Sequence, residues 1–342
     1  MKSKRILGLA LPVLFLAAAT AKAACIPIDT IPYVIAQSGF YCVTRDLTAN
    51  FTDQVNAITI SVSHVDLDFQ GHTVSDTSTQ AASVGVLFAS FEAIATDVKV
   101  HGGTLDGFLD GIRMTTTSAN TETSNFVVDN MTVRNSRLRG IVVYGSAVTV
   151  TNNHVYNTHH SAAATGIEIR STMHPGFKAS NRALIQNNEI RDTYVTQASQ
   201  YASAVGLDVG YYIDMQIRGN LITNTWVPLQ APNASAIGMD IDQTDGVCAG
   251  PCASVPSGAL LVEDNRVSAD FATIKVANTN STGVRVRYPS DHAIISGSTV
   301  IRYTTGIDVS SGAWPNTPAV LLLRNKILAA VTPTKGGLFL PE

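Results

Sequence analysis

The sequence is short of charged residues, aromatic residues and cysteines. Asp, Glu, Lys and Arg make up 14% of the 342 residues, against about 25% in an average soluble protein. Aromatic residues make up 7%, and there are four cysteines. The formal net charge of −3 is also the wrong sign for a basic nucleic-acid-binding surface, so we expect no nucleic-acid partner.

The first 23 residues have the layout of a cleaved secretory signal. A basic start is followed by an apolar stretch over residues 6–19 and by the small-residue ending Ala21-Lys22-Ala23. Cleavage there would leave 19 of the 23 basic residues against 26 acidic ones. Beyond residue 23 there is no run of the roughly 18 apolar residues that a membrane span needs. We therefore expect a secreted or periplasmic protein without a transmembrane segment.

The four cysteines of an exported chain predict two disulfides. Cys25 and Cys42 flank the segment before the periodic region, and Cys248 and Cys252 lie four positions apart in the longest insertion. Local pairing predicts the bridges Cys25–Cys42 and Cys248–Cys252, each joining loops.

One short phrase recurs along most of the chain: a glycine, an apolar residue, a variable residue and usually another apolar residue. Successive glycines of this phrase are 26, 29, 26, 40, 32, 45 and 23 positions apart. A period of this length is typical of a solenoid with insertions in some repeats. The glycines are Gly85, Gly111, Gly140, Gly166, Gly206, Gly238, Gly283 and Gly306.

The pattern divides the chain into four parts. We predict a signal peptide over 1–23, an N-terminal cap segment over 24–53, the solenoid over 54–330 and a C-terminal tail or cap over 331–342. The solenoid's entry, Val65-Asp-Leu-Asp-Phe69, alternates apolar and polar residues, which indicates a strand with one buried face.

A second phrase, centred on asparagine, recurs downstream of the glycine phrases. Together with the glycine phrases and the entry Val65-Asp-Leu-Asp-Phe-Gln-Gly-His-Thr-Val74, it resembles the right-handed parallel β-helix superfamily typified by pectate lyases and polygalacturonases. The resemblance covers roughly residues 55–330 and implies an all-β, right-handed parallel β-helix of about eight to ten coils. The chain lacks the Gly-His-Gly and Arg-Ile-Lys motifs of polygalacturonases and the paired-arginine proline motif of pectate lyases, so catalytic roles are not carried over.

The asparagine of the second phrase falls at one place in each coil. A turned-in amide there can bond the amides of the coils above and below, which predicts a structural asparagine ladder. Ser298 interrupts the series. The asparagines are Asn153, Asn188, Asn220, Asn265 and Asn325.

The glycine phrases also predict which side chains point outwards. The residue after each glycine faces in, so the residues two and four positions after it face out. The first outward column reads Leu87, Arg113, Val142, Glu168, Asp208, Asp240, Arg285 and Asp308. The second reads Ala89, Thr115, Tyr144, Arg170, Gly210, Asp242, Arg287 and Ser310.

Three neighbouring coils thus stack Glu168, Asp208 and Asp240, with Asp242 beside them. Stacked strands are about 4.8 Å apart, so the carboxylates repel one another. Flanking arginines, a bound Ca²⁺ or a raised carboxylate pKa could compensate for this repulsion. The alternative is a solvated face without a function. We interpret these residues as a functional site.

Long insertions on either side of these coils, together with nearby aromatic residues, are typical of a groove for an extended sugar chain. We predict that substrate contacts come from Glu168, Arg170, Tyr211, Tyr212 and Trp226.

Two chemistries could use the acids. In an inverting glycoside hydrolase, Asp208 and Asp242, about 8 Å apart by strand geometry, would be acid and base. In a lyase, Glu168, Asp208 and Asp240 would hold Ca²⁺ against the substrate's uronate. The base or charge stabiliser would then be Arg285 or Arg287.

The sequence therefore predicts an exported monomer that binds and depolymerises a polysaccharide, as a lyase or a hydrolase, with catalytic candidates Asp208, Asp240, Asp242, Arg285 and Arg287. The alternative is a non-catalytic cell-envelope or surface β-helix with an adhesive or structural role.

Overall fold

The described part of the chain is built from strands. The computed structural model describes residues 24–339 except 80–81, 90–93, 116–121, 172–181, 198, 200, 213, 229–232, 244–257, 270–280, 288, 290–291, 311–319, 329–331 and 336–337. Within those residues there is no helical segment with the length and hydropathy needed to span a bilayer. The predicted signal over 1–23 and the predicted Cys248–Cys252 bridge lie outside the described residues.

The strands are numbered in chain order. The first fifteen are β1 (Ile26–Ile28), β2 (Tyr33–Ile35), β3 (Gly39–Val43), β4 (Leu47–Ala49), β5 (Asn56–Ile60), β6 (Val65–Asp68), β7 (Thr73–Asp76), β8 (Val84–Phe88), β9 (Ile94–Asp106), β10 (Asp110–Met114), β11 (Glu122–Arg134), β12 (Arg139–Tyr144), β13 (Ala147–Thr151), β14 (His154–His160) and β15 (Ala163–Arg170). The others are β16 (Arg182–Gln186), β17 (Glu189–Val195), β18 (Ser203–Gly210), β19 (Asp214–Arg218), β20 (Leu221–Trp226), β21 (Ser235–Asp242), β22 (Ala259–Glu263), β23 (Arg266–Ser268), β24 (Ser281–Arg287), β25 (His292–Ser296), β26 (Thr299–Ile301), β27 (Thr305–Ser310), β28 (Leu321–Leu323), β29 (Lys326–Leu328), β30 (Thr332–Lys335) and β31 (Leu338–Phe339).

These strands form parallel ladders that run along the length of the molecule. One sheet of eleven strands takes one strand from each coil, in the order β2-β5-β8-β10-β12-β15-β18-β21-β24-β27-β30. The second sheet consists of two ladders. The long strands β9 and β11 each turn a corner of the coil and take part in both ladders, so they join the two. Three strands per coil and parallel pairing throughout confirm the predicted parallel β-helix, and crossovers between parallel strands favour the right-handed form.

The ladder of eleven strands extends slightly beyond the about eight to ten coils that the resemblance implies. The additional strands come from both ends, because β2 pairs with β5 and β27 pairs with β30. Strand pairing therefore continues across residues 53 and 330, where we placed domain boundaries. The Cys25–Cys42 disulfide is formed and lies within the first coil.

The core consists of inward columns of apolar side chains. The residue after each recurring glycine is completely buried, and the same holds two positions later for most coils. The first column comprises Val86, Ile112, Ile141, Ile167, Leu207, Met239, Val284 and Ile307. Stacking therefore buries a continuous apolar interior that no single coil could enclose.

The recurring glycine is explained by close approach between coils. A Cβ on Gly166 would lie 2.6 Å from the carbonyl oxygen of Gly206, and a Cβ on Gly206 would lie 2.6 Å from the carbonyl oxygen of Gly238. Real Cβ atoms do not approach backbone oxygens this closely, so a larger residue would force the coils apart. The phrase thus marks the place where the strand's inner face has no room for a side chain.

The asparagine ladder is confirmed. Asn153, Asn188 and Asn220 each donate from Nδ2 to the Oδ1 of the next asparagine at 2.9, 3.0 and 2.9 Å. The same Oδ1 atoms accept the backbone N–H of the preceding rung at 3.0–3.1 Å. The series stops at Ser298, as the sequence predicts. Asn325 Oδ1 accepts the Ser298 backbone N–H instead.

Candidate functional site

The two predicted outward columns are present in the predicted register. In the first column, Glu168 pairs with Asp208, Asp208 with Asp240 and Asp240 with Arg285. In the second, Arg170, Gly210, Asp242 and Arg287 follow one another on the same four strands. We call this region the charged face and define it as Glu168, Arg170, Asp208, Asp240, Asp242, Arg285 and Arg287 on β15, β18, β21 and β24.

Arginines lie between the stacked acids. The Arg170 Nε donates to Glu168 Oε1 at 3.0 Å, and one terminal nitrogen of Arg170 donates to Asp208 Oδ2 at 2.5 Å. Arg139 approaches the other oxygen of Glu168 at 3.6 Å. One guanidinium therefore bridges two coils, and the repulsion between Glu168 and Asp208 is offset by charge from within the sheet.

Asp240 receives two arginines from one neighbouring strand. Arg285 binds it in a bidentate manner, with N–O distances of 2.9 and 2.5 Å. Arg287 reaches the same two oxygens at 3.3 and 3.2 Å, and its remaining terminal nitrogen lies 3.3 Å from Asp242. At Asp240, paired arginines are therefore the kind of compensation that is present, out of the three that the sequence left open.

Asp208 differs from the other acids of the charged face. It is 8% exposed, its Oδ2 accepts from Arg170, and its Oδ1 is buried without a hydrogen-bond partner among the described residues. Burial raises the pKa of Asp208 to about 6, with Asp240 and Glu168 adding to the rise and Arg170 and Arg287 opposing it. Asp208 therefore keeps its proton in mildly acidic solution.

Tyr144 is a neighbour of these acids that sequence reasoning did not select. Its hydroxyl donates to Glu168 Oε1 at 2.6 Å, and burial together with Glu168 raises the pKa of Tyr144. The residue stood in the second outward column, directly above Arg170, so its position in the register was the available signal.

The arginines are more exposed than the acids that they bind. The side chains of Arg170, Arg285 and Arg287 are 23–32% exposed, whereas those of Asp208, Asp240 and Asp242 are 5–12% exposed. The sequence predicted stacked carboxylates at the outward positions. In the structure a layer of carboxylates lies beneath guanidinium groups.

The predicted calcium ligands are engaged by arginines. Glu168, Asp208 and Asp240 all accept hydrogen bonds from Arg170 or Arg285. The described residues contain no group of three or more His, Cys, Asp or Glu side chains that could hold a metal ion. Calcium binding stays a prediction, and it would require the arginines to move away from the acids.

Two of the predicted substrate-binding aromatic residues are placed elsewhere. Tyr212 is 1% exposed, and its hydroxyl donates to the Gly145 carbonyl at 2.8 Å, so the side chain lies in the interior and its role as a substrate contact stays a prediction. Trp226 lies on β20, in the other sheet, where its ring stacks on that of Tyr194 with a 4.8 Å centroid separation. His159 continues this stack at 5.4 Å, so Trp226 belongs to an aromatic ladder outside the charged face.

Tyr211 does lie at the charged face. It follows the last residue of β18, and its ring lies 5.4 Å from the guanidinium carbon of Arg170. Its backbone is left-handed, with a φ of 70°, which costs energy for a residue with a large side chain.

The long insertions that we expected to wall a groove include residues 172–181 and 244–257, which are outside the described residues.

Comparisons with known proteins give a distant structural likeness. No protein-family model matches the chain, and no curated protein matches it in sequence. The A-module of the mannuronan C-5 epimerase AlgE4 of Azotobacter vinelandii is similar at 12% identity and a TM-score of 0.40, covering 89% of this chain and 91% of that one. The catalytic domain of a GH87 α-1,3-glucanase in complex with nigerose is similar at 10% identity and a TM-score of 0.36, covering 90% of this chain and 59% of that one.

Proposed function

We propose that the charged face binds a polysaccharide and cleaves its glycosidic bonds, with Asp208 as the general acid. The observation that supports the proposal is the state of Asp208, a buried carboxyl with a pKa raised to about 6 and with one oxygen that has no hydrogen-bond partner among the described residues. Enzymes prepare a carboxylic acid for proton donation in this way, by burying it beside other acids.

Asp242 is the partner that suits hydrolysis. Asp208 pairs with Asp240 on the neighbouring strand, and Asp242 lies two residues beyond Asp240 on that strand. Strand geometry places the two carboxyl groups about 8 Å apart, within the roughly 6.5–9.5 Å of inverting glycosidases. Asp208 would protonate the leaving oxygen as its C–O bond breaks, and Asp242 would take a proton from the attacking water.

Asp240 would hold the arrangement between them. Arg285 and Arg287 bind both of its oxygens, which keeps a charged group at fixed geometry beside the acid and the base. These contacts also make hydrolysis a better fit than the calcium-dependent lyase reaction, since in a lyase the same carboxylates would have to bind the ion and Arg285 or Arg287 would have to serve as the base.

The same ion pairs also fit the non-catalytic alternative. Paired charges on an outer sheet can stabilise stacked coils without any ligand, as an adhesive or structural module of the cell envelope would require. Export through the predicted signal over 1–23, a secreted or periplasmic location and a monomeric state belong to both proposals.

Incubation with polysaccharides separates the two. Protein starting at residue 24 is mixed with neutral and uronate-containing polysaccharides, with and without a chelator, and new reducing ends and unsaturated ends are measured. The proposal predicts reducing ends that chelator does not suppress and that Asp208→Asn and Asp242→Asn abolish, while the control Asp129→Asn, on β11 of the other sheet, keeps them.

Three results would contradict the proposal. Unsaturated ends that chelator suppresses would replace hydrolysis by the lyase reaction. Full turnover in Asp208→Asn would remove Asp208 from the site. Absence of product from every polysaccharide would leave the structural module as the function.

A further inference from the structure

The second sheet changes in character along its length. Its outward positions are set by the register, because they alternate with buried residues on each strand. Near the N-terminal end, on β6, β9 and β11, these positions include Asp66, Asp68, Lys99, His101 and Asp129. Near the C-terminal end, on β25, β26, β28 and β29, leucine and isoleucine predominate. An outward side chain does not pack into the interior of the solenoid, so these apolar residues need another explanation.

The apolar residues stack on neighbouring strands. Ile294 pairs with Leu321 in one ladder, and Ile301 pairs with Leu328 in the other. Leu323 lies two residues after Leu321 and faces the same way. Leu328 is 53% exposed, and the other side chains are partly exposed. We call this region the C-terminal patch and define it as Ile294, Ile301, Leu321, Leu323 and Leu328.

Exposed basic residues border the C-terminal patch. They lie on β23 and β29 and in the turns that follow β26 and β28. One of them is in backbone contact with the patch, since the Arg302 N–H donates to the Leu328 carbonyl at 2.9 Å. The described acids of this region are Glu263, at the end of β22, and Asp264 directly after it, so basic residues are in excess. The basic residues are Arg266, Arg302, Arg324 and Lys326.

The charge of this sheet is reversed at its other end. On β6 and β9 the outward acids Asp66, Asp68 and Asp106 outnumber the one lysine, Lys99. A negatively charged surface therefore repels that end of the sheet and attracts the end with the C-terminal patch, which fixes the direction from which such a surface is approached.

An anionic lipid surface satisfies both features of the patch. Its phosphate groups attract arginine and lysine, and the boundary between headgroups and acyl chains takes up apolar side chains. A second copy of the chain would place the same positive border against itself in a two-fold contact. A dissolved acidic polysaccharide would pair with the basic residues and leave the leucines in water.

We propose that the C-terminal patch and its basic border bind the surface of an anionic lipid bilayer. The side chains of Leu321, Leu323 and Leu328 enter the headgroup boundary, and Arg324 and Lys326 contact phosphate groups. The protein is held at the surface and does not cross the bilayer. The charged face lies on the eleven-stranded sheet and takes no part in this contact, so the inference goes beyond the proposed function and does not rest on it.

Sedimentation with lipid vesicles tests the proposal. Protein starting at residue 24 is mixed with vesicles of phosphatidylcholine alone and with vesicles that also contain phosphatidylglycerol, at low and at high salt. We expect binding to the vesicles with phosphatidylglycerol to be tighter by about tenfold or more, since each basic side chain near an anionic surface contributes about fivefold. High salt should weaken this binding, because it screens exposed charges.

Two variants separate the charged part of the surface from the apolar part. Lys326→Glu should weaken binding by about fivefold or more. Leu328→Ser should weaken it by about fivefold and leave its dependence on salt unchanged. Both residues are exposed, so both variants should keep the fold.

Each variant has a matched control. Arg182→Glu changes an exposed arginine on β16 of the same sheet, and Val34→Ser changes a 61% exposed side chain on β2 at the other end of the solenoid. Neither control should alter binding to vesicles.

Four results would overturn the proposal. The first is equal binding to both kinds of vesicle, or binding to neither. The second is an equal effect of Lys326→Glu and Arg182→Glu, because the attraction would then come from the overall charge. The third is binding to dissolved polygalacturonate that Lys326→Glu weakens, without binding to vesicles. The fourth is a dimer in light scattering that Leu328→Ser dissociates, again without binding to vesicles.

Discussion

The asparagine ladder and the charged face are both columns of polar side chains, stacked one residue per coil on the same β-helix. The asparagines repeat a neutral group that is donor and acceptor at once, so each rung satisfies the next. A carboxylate offers acceptors alone, so stacked acids require cations between them. The arginines supply these, yet Asp208 Oδ1 stays unpaired among the described residues. The ladder is built for stability, whereas the charged face leaves a group with unmet bonding capacity.

The largest effect expected from this difference is on turnover. Asp208→Asn removes the proposed proton donor and should lower kcat/KM by about 10²–10⁴-fold, the usual contribution of a general acid. Reducing-end release under conditions in which both proteins are folded measures the change. A loss below tenfold would mean that the charged face, like the asparagine ladder, stabilises the fold and does not catalyse a reaction.

The next effect concerns stability and lies in the ladder. Asn220→Ala removes the Oδ1 that accepts the Asn188 backbone N–H and Nδ2, and it frees the Ile185 carbonyl. Several buried groups lose partners at once, so the free energy of unfolding should fall by about 4 kcal/mol. Urea unfolding measures it.

Asn325→Ala is the control for Asn220→Ala, because Asn325 lies beyond the interruption at Ser298 and accepts the Ser298 N–H in a partly buried place. It should cost clearly less. Equal costs would show that the interior rungs gain nothing from being stacked.

The pH dependence of stability should also distinguish the two columns, because asparagine does not titrate and Asp208 does. The native state holds the Asp208 proton more tightly than the unfolded chain, since its pKa is raised to about 6. The stability that this proton contributes is present below pH about 4 and is lost as the pH rises through 6.

Replacing Asp208 by Asn removes that loss. The unfolding free energy of Asp208→Asn relative to wild type should therefore rise between pH 4 and 7 by up to about 3 kcal/mol. Thermal unfolding across this range measures the difference. A difference that stays constant with pH would mean that the pKa of Asp208 is the same in the native state and in the unfolded chain.

The smallest effect is expected in the aromatic ladder of His159, Tyr194 and Trp226. Trp226→Leu should lower the free energy of unfolding by about 1 kcal/mol, since the stacked rings lose one partner. It should leave kcat/KM unchanged, because Trp226 lies on the other sheet. A marked loss of turnover in this variant would instead identify Trp226 as a substrate contact.

Much of the site could be predicted from the sequence because strand alternation is regular. One glycine per coil fixes the register, so the order Glu168, Asp208, Asp240 and Arg285 follows from spacing alone. The asparagine ladder follows for the same reason. The compensation of the stacked acids could not be derived in this way, because it depends on how far each arginine side chain reaches.

The placements that periodicity did not anticipate occur where the alternation ends. β18 stops at Gly210, and Tyr211 takes a left-handed backbone, so Tyr212 turns inwards although a continued strand would alternate differently. Trp226 closes a strand of the neighbouring ladder, and proximity in sequence to an insertion did not place it near the acids. Both positions depend on the path of the chain after a strand, which periodicity does not encode.

The most direct test of the account is the pH profile of kcat/KM on a polysaccharide that the protein cleaves. Asp208 must carry its proton to act, so kcat/KM should fall about tenfold per pH unit above pH about 6. We expect this decline in the wild type and in the Trp226→Leu control. A profile that stays level from pH 5 to 8 would contradict it, because the proton would then come from another group.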